Sequence, residues 1–149
     1  MSVNPDLVGR TFPPAPPYLV GREKVREFAR AVLATHHHHH DPDAALAAGY
    51  SDVVAPTTFP TVVQAASLDQ LLADPDAGID FSRVVHGDQR FTYTRPIVAD
   101  DELTATLTVT SIKSLGGHSM VTTDTAMTDS DGAHVVTATS TLVVRGDES

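Results

Sequence analysis

Leu103–Ile112 reads LTATLTVTSI, with Leu103, Ala105, Leu107 and Val109 alternating against Thr104, Thr106, Thr108 and Thr110. Successive strand residues point to opposite faces, so this period of two predicts a β-strand with one buried and one wetter side. The same period continues downstream. Gly116-Gly117 and Asp129-Ser130-Asp131-Gly132 are turn signals that separate Met120–Met127 from Val135–Val144, and upstream Val84–Thr94 reads as one more strand. The last third of the chain is therefore an antiparallel meander, which excludes an all-helical fold.

Before Gly78 the period is helical. Val62, Val63, Ala66, Leu68, Leu71 and Leu72 make a wide apolar set, predicting a largely buried helix from about Thr58 to Leu72 that Asp74-Pro75-Asp76 stops. A short helix is expected over Pro42–Ala48, with Asp41 as N-cap, Pro42 as its first residue and Gly49 as a left-handed terminator. From Arg22, the residues Val25, Phe28, Ala29, Val32 and Leu33 fall at i, i+3, i+4, i+7 and i+8, one buried stripe of a further helix. Residues 1–17 hold Pro13, Pro14, Pro16 and Pro17 and read as an extended arm that packs as a strap. The plan is α+β, with helices in the first half and a curled sheet able to wrap one long helix. No internal repeat is visible, and 149 residues with 41% hydrophobic content suit one domain over 1–149, with 145–149 as a short tail.

Charge and composition exclude several classes. Nineteen acidic against ten basic residues give a net charge of −9, which repels nucleic acid and anionic membrane. The absence of cysteine removes disulfides, thiolate metal sites and a cysteine nucleophile. Neither a signal peptide nor a run of apolar residues long enough to span a bilayer is present, so a cytoplasmic location is expected.

Three constellations carry chemistry. The first is THHHHHDPD, Thr35–Asp43, whose five adjacent imidazoles sit mid-chain where no purification tag would be. Imidazole near its ordinary pKa can take or give a proton at neutral pH, and a nearby carboxylate can orient it; His39 with Asp41 meets that spacing. The same residues equally suit a solvated loop in which Asp41 is only a helix cap. Imidazoles two apart can share a divalent ion, but metal sites draw ligands from separate elements, and neither a metal nor a cofactor is expected. His86, His118 and His134 read as ordinary strand or turn residues. The second constellation is Ala55-Pro56-Thr57-Thr58-Phe59, where a helix amino end would offer free N–H groups and a positive dipole end to a carbonyl or anion, or where a threonine merely caps. The third is Arg22, Arg26 and Arg30, which would dock an acidic carrier or a coenzyme phosphate, or simply pair with Glu23 and Glu27.

VGREKVREFARAV (Val20–Val32), HHDPDAALAAGYSDVVAPTTF (His39–Phe59) and VVHGDQRFTYTRPIVADDEL (Val84–Leu103) together resemble the MaoC-like hot-dog hydratases and dehydratases. More closely, they are similar to actinobacterial small proteins related to the first subunit of the (3R)-hydroxyacyl-carrier-protein dehydratase. The resemblance runs from about Leu7 to Val144. It implies a hot-dog fold, a curved antiparallel sheet around a long central helix, that pairs as dimers with acyl tunnels near the interface. It also implies reversible loss of water from a (3R)-3-hydroxyacyl thioester in fatty-acid metabolism, on coenzyme A or acyl-carrier protein.

Against the family's catalytic loop, D-x-N-P-x-H-x-D-P, this chain has Ala34-Thr35-His36-His37-His38-His39-His40-Asp41-Pro42. His39 falls on the catalytic histidine, Ala34 stands for the aspartate, His36 stands for the asparagine, and Ala55-Pro56-Thr57 replaces an A-H-G helix opening. The resemblance thus implies His39 as base, with Asp41 or His36 orienting it, and Pro56, Thr57, Thr58 and Phe59 against the thioester. The departures point to an acyl-chain-holding subunit beside a MaoC-like partner that carries the aspartate and histidine, a heterodimer. The alternatives are a self-sufficient homodimer using His39 and a non-catalytic thioester-binding module.

Overall fold

The computed structural model describes residues 2–146; Met1 and residues 147–149 of the expected tail lie outside them. The strands are β1 (Tyr18–Leu19), β2 (Val84–Tyr93), β3 (Glu102–Leu115), β4 (His118–Thr128) and β5 (His134–Val144), and the α-helices are α1 (Arg22–Ala31), α2 (Pro42–Ala47) and α3 (Pro60–Ala73). All five strands form one antiparallel sheet in the order β1-β3-β4-β5-β2. The meander β3-β4-β5 follows from turns in which Gly116, Gly117 and Gly132 take positive φ. Register shifts at His86/Asp88, Val109/Ser111 and Met127/Thr128 add the bulges that bend strands and curl the sheet.

The curled sheet carries α3 on its inner face. The alternation in LTATLTVTSI has its expected result: Leu103, Ala105, Leu107 and Val109 are buried while the threonines between them are partly or fully exposed. Phe59 and Val63, at the amino half of α3, join Leu103, Ala105, Met127, Val136 and Ala138 in one apolar cluster. Leu68 and Leu71, at its carboxyl half, join Leu107, Val109, Val121, Leu142 and Val144 in a second. The helix is less buried than its composition suggests, because Ala65, Ala66 and Asp69 are exposed on the side away from the sheet. Residues 3–15 run along β3, where Phe12 and Ala15 donate backbone N–H bonds to Leu107 and Ala105 (both 2.9 Å) and Val109 donates to Arg10 (3.0 Å). Pro13, Pro14, Pro16 and Pro17 lack an N–H, and an edge position of this kind accommodates them.

The stripe expected on α1 ends early. Val25 and Ala29 are fully buried, but the helix stops at Ala31, and Leu33 is 82% exposed with φ 59°. Ala34 N–H bonds Ala29 C=O (2.8 Å) and Leu33 N–H bonds Arg30 C=O (3.3 Å), the paired terminator in which one residue must turn left-handed. The same pair closes α2, where Tyr50 N–H reaches Ala45 C=O and Gly49 N–H reaches Leu46 C=O, both at 3.0 Å. Among the described residues no helix is long and apolar enough to cross a membrane.

Candidate functional site

The terminator at Leu33 turns the chain out of α1, and the histidines fill the gap before α2. His37–His39 form one turn of 3-10 helix capped by His36, whose Nδ1 accepts the His38 N–H at 3.2 Å. This turn is clamped to the segment that leads into α3: Val54 N–H donates to His38 C=O (2.8 Å), and His39 Nδ1 lies 2.6 Å from Val54 C=O. A carbonyl only accepts, so His39 carries its proton on Nδ1 and leaves Nε2 with the lone pair. That lone pair is met at 3.2 Å by His38 Nε2, which donates in the neutral pair. His40 Nε2 donates to Ala34 C=O at 2.8 Å, and Arg26 Nε donates to His40 C=O at 2.8 Å. Burial, then the adjacent His39 and His36 rings, hold His38 below the usual imidazole range.

Neither residue expected to orient His39 does so. Asp41 is exposed and its carboxylate accepts the Asp43 N–H at 2.9 Å as the N-cap of α2. His36 is exposed and lies tilted by 45° against His38 with ring centroids 4.0 Å apart, while its ring centroid is 6.4 Å from that of His39. The Val54 carbonyl takes the orienting role because the 3-10 turn brings Nδ1 against that backbone.

At the amino end of α3, Pro56 accepts from Phe59 N–H (2.9 Å) and Thr58 C=O accepts from Thr61 N–H (3.1 Å). Pro60 has no N–H, and among the described residues nothing accepts from the N–H of Thr57 or Thr58, which leaves two exposed donors at the positive end of the helix. Phe59 departs from its expected place. As N-cap it turns inward and is fully buried, edge-on to Phe28 (5.4 Å) and Tyr18 (6.4 Å), so it holds the helix start and does not touch the site.

These elements enclose a cavity of about 760 Å³ lined by His38, His39, Ala34, Pro56, Thr57 and Thr58, and also by Val32, Tyr50, Val54, Ala55, Tyr93, Thr94, Arg95 and Pro96. No aspartate or glutamate is among them. Arg95 does not bring a free charge, since it is forked onto Asp101 (2.8 and 3.0 Å) and reaches Asp129 (3.3 Å). The Tyr93 hydroxyl donates to Thr57 C=O at 2.7 Å, and burial raises its pKa far enough to keep the phenol neutral. Tyr50 follows α2 in a loop, and Tyr93, Thr94 and Arg95 lie at and just past the end of β2, so only tertiary packing brings them to the histidine turn and residue types leave no signal of it. Among the described residues no set of three or more His, Asp or Glu side chains is arranged to hold a metal ion. The arginine stripe is largely tied down: Arg22 forks onto Asp52 (3.1 and 2.8 Å), Arg26 pairs with Glu23, and Glu27 pairs with Lys24 (2.9 Å) instead of Arg30.

A long helix in the concave face of a curled antiparallel sheet is the hot-dog fold, here with imidazoles and unpaired N–H groups at the amino end of the helix. The profile of the FAS1-like, dehydratase domain region matches residues 6–138, and the chain belongs to that family. A UPF0336 protein of Clavibacter michiganensis is 70% identical over the full length of both chains. A chain in the crystal structure of the HadBC (3R-hydroxyacyl-ACP dehydratase) complex from Mycobacterium tuberculosis superposes with a TM-score of 0.83 at 36% identity, over 93% of this chain and 97% of that one. A MaoC-like dehydratase superposes with a TM-score of 0.87 at 40% identity, over 93% of this chain and 42% of the other.

Proposed function

We propose that this chain holds the acyl thioester in a heteromeric (3R)-3-hydroxyacyl-thioester dehydratase whose catalytic aspartate and histidine come from a MaoC-like partner subunit. Dehydration needs a base to take the C2 proton, an acid to protonate the departing 3-hydroxyl, and donors for the oxygen that gains enolate character. Thr57 and Thr58 N–H suit the third task. The observation that carries the reading is the lack of a carboxylate in the cavity: Ala34 stands where the family has aspartate, and the His39 lone pair is occupied by His38. The 36%-identical relative is itself part of a dehydratase complex, which favours the same arrangement here.

A self-sufficient homodimer is the second reading, favoured by the fixed tautomer of His39 within the cavity. Hydration of a 2-enoyl coenzyme A by the purified chain, alone and with an aspartate-bearing MaoC-like partner, separates the two. Turnover only in the mixture, with His39→Ala on this chain changing it by less than about tenfold, is the expected result. Turnover by the chain alone that drops by the 10²–10⁴ typical of a lost general base in His39→Ala establishes the homodimer. Saturable acyl-CoA binding without turnover in either setting leaves a binding module.

A further inference from the structure

Every buried polar side chain of the described residues belongs to one small set: Gln64, Ser67, Thr123, Thr125 and Ser140. Strand register explains two of them. Gln89, Ser140 and Thr123 lie side by side across β2, β5 and β4, a polar row beneath the middle of α3 that ends against Val109 of β3. Gln64 sits above this row. Its Nε2 donates to Gln89 Oε1 at 3.0 Å, and Ser140 Oγ lies 2.6 Å from Gln89 Oε1 and 3.2 Å from Gln64 Oε1. The Thr123 and Thr125 hydroxyls find no partner.

The two glutamines bridge α3 and β2, and that boundary also carries the site. Tyr93 meets Thr57 at the cavity, Gln89 meets Gln64 farther along, and beyond them lies a recess of about 500 Å³ walled by Leu68, Leu72, Phe81 and His86 together with both glutamines. At about 1.5 Å per helical residue the bridge stands roughly 6 Å beyond Pro60, within reach of an acyl chain whose carbonyl is at Thr57 and Thr58. When the bridge opens, Gln89 Oε1 keeps the Ser140 hydroxyl at 2.6 Å, while the buried Gln64 Nε2 loses its acceptor, so the bar resists opening.

We propose that the Gln64–Gln89 hydrogen bond is a bar across the acyl path and determines chain-length preference, a conclusion that rests on the thioester reading of the cavity. Chains ending before the bar leave it closed. A chain that passes it breaks one hydrogen bond and leaves the Gln64 amide without its acceptor, a penalty of at least about fivefold in affinity, and regains about fourfold for each methylene buried in the recess. Affinity should therefore stall at the length that meets the bar and rise again beyond it.

The test is calorimetric titration of the full chain with butyryl, hexanoyl, octanoyl, decanoyl and dodecanoyl coenzyme A, on wild type, Gln64→Met and Gln89→Met. Methionine conserves volume and removes the bridge; Gln89 is only partly buried, so its variant serves if Gln64→Met does not fold. The expected result is a stall in the wild-type series that both variants abolish, with dodecanoyl binding at least about fivefold tighter and butyryl binding unchanged. A uniform change at all lengths, or none, overturns the bar while leaving the thioester reading intact. A variant effect confined to self-association in sedimentation also overturns it and makes a second copy of the chain the occupant of the recess. No binding of any acyl-CoA overturns both readings.

Discussion

The two halves of the space under α3 are built to opposite ends. The carboxyl half, around Leu68 and Leu71, is closed by the arm: Val3, Leu7 and Phe12 pack into it, and Ala77 C=O accepts the Asn4 N–H at 2.9 Å, leaving open the recess toward β2. The amino half, around Phe59 and Val63, is apolar too, but its border is Tyr93, Thr57 and the histidine turn, and there the cavity opens. Apolar area is the main hold on the first half. The second adds a loop held by three polar clamps from His39, Val54 and His40, which fix direction as well as position. Stability and function are thus separable, and substitutions should sort by half.

The largest effect tests that separation. Leu71→Ala and Phe59→Ala each empty a fully buried site, so each should destabilise the fold by about 3–5 kcal/mol in urea titration. Leu71→Ala should leave acyl-CoA affinity within about twofold, since sites without shared partners behave additively. Phe59→Ala should also weaken binding, because Phe59 sets the start of α3 and with it the Thr57 and Thr58 donors. Equal loss of binding in both variants breaks the comparison.

How much of this was readable in the sequence also divides by half. The strands, their turns and the α+β plan follow from LTATLTVTSI and its neighbours because a period of two survives any tertiary context that buries one face. Gly49 marked the end of α2 for a local reason, φ 96°, that glycine meets without strain. Leu33 plays the same part at the end of α1 with φ 59°, yet as a leucine it continued the apparent stripe, and the stripe was read two turn residues too far. His39 was found by its spacing and by resemblance. Its orienting partner was not, because a backbone carbonyl fifteen positions away leaves no mark in residue types. Gln64 likewise looks like a polar interruption of a buried helix until the register places Gln89 and Ser140 beneath it.

A smaller effect isolates the cap from the site. Asp41→Ala removes the acceptor for the Asp43 N–H and should cost about 1 kcal/mol in thermal or urea unfolding. His39 is held by Val54, so its ring resonances in NMR and the acyl-CoA affinity should stay in place. If they move with the cap, Asp41 does orient His39 through the loop, and the opening depends on α2 as well as on α3.

The smallest effect is a pH dependence local to the open half. His38 is held below the usual imidazole value of 6.5 by burial, then by His39 and His36, so between that value and its folded pKa the unfolded chain binds more protons than the native one. Its contribution to stability is therefore complete above about pH 6.5 and is lost as pH falls toward the folded pKa. His38→Gln should flatten that part of a urea-midpoint profile, by less than the cap effect because solvent reaches the ring and screens it. Protonating His38 also removes nothing from the His39 lone pair, since His38 Nε2 donates in either charge state, so acyl-CoA affinity should vary less than stability across the same pH range. A steeper response of binding than of stability would mean that the histidine pair senses the ligand directly, and that the clamps at the open half carry charge as well as direction.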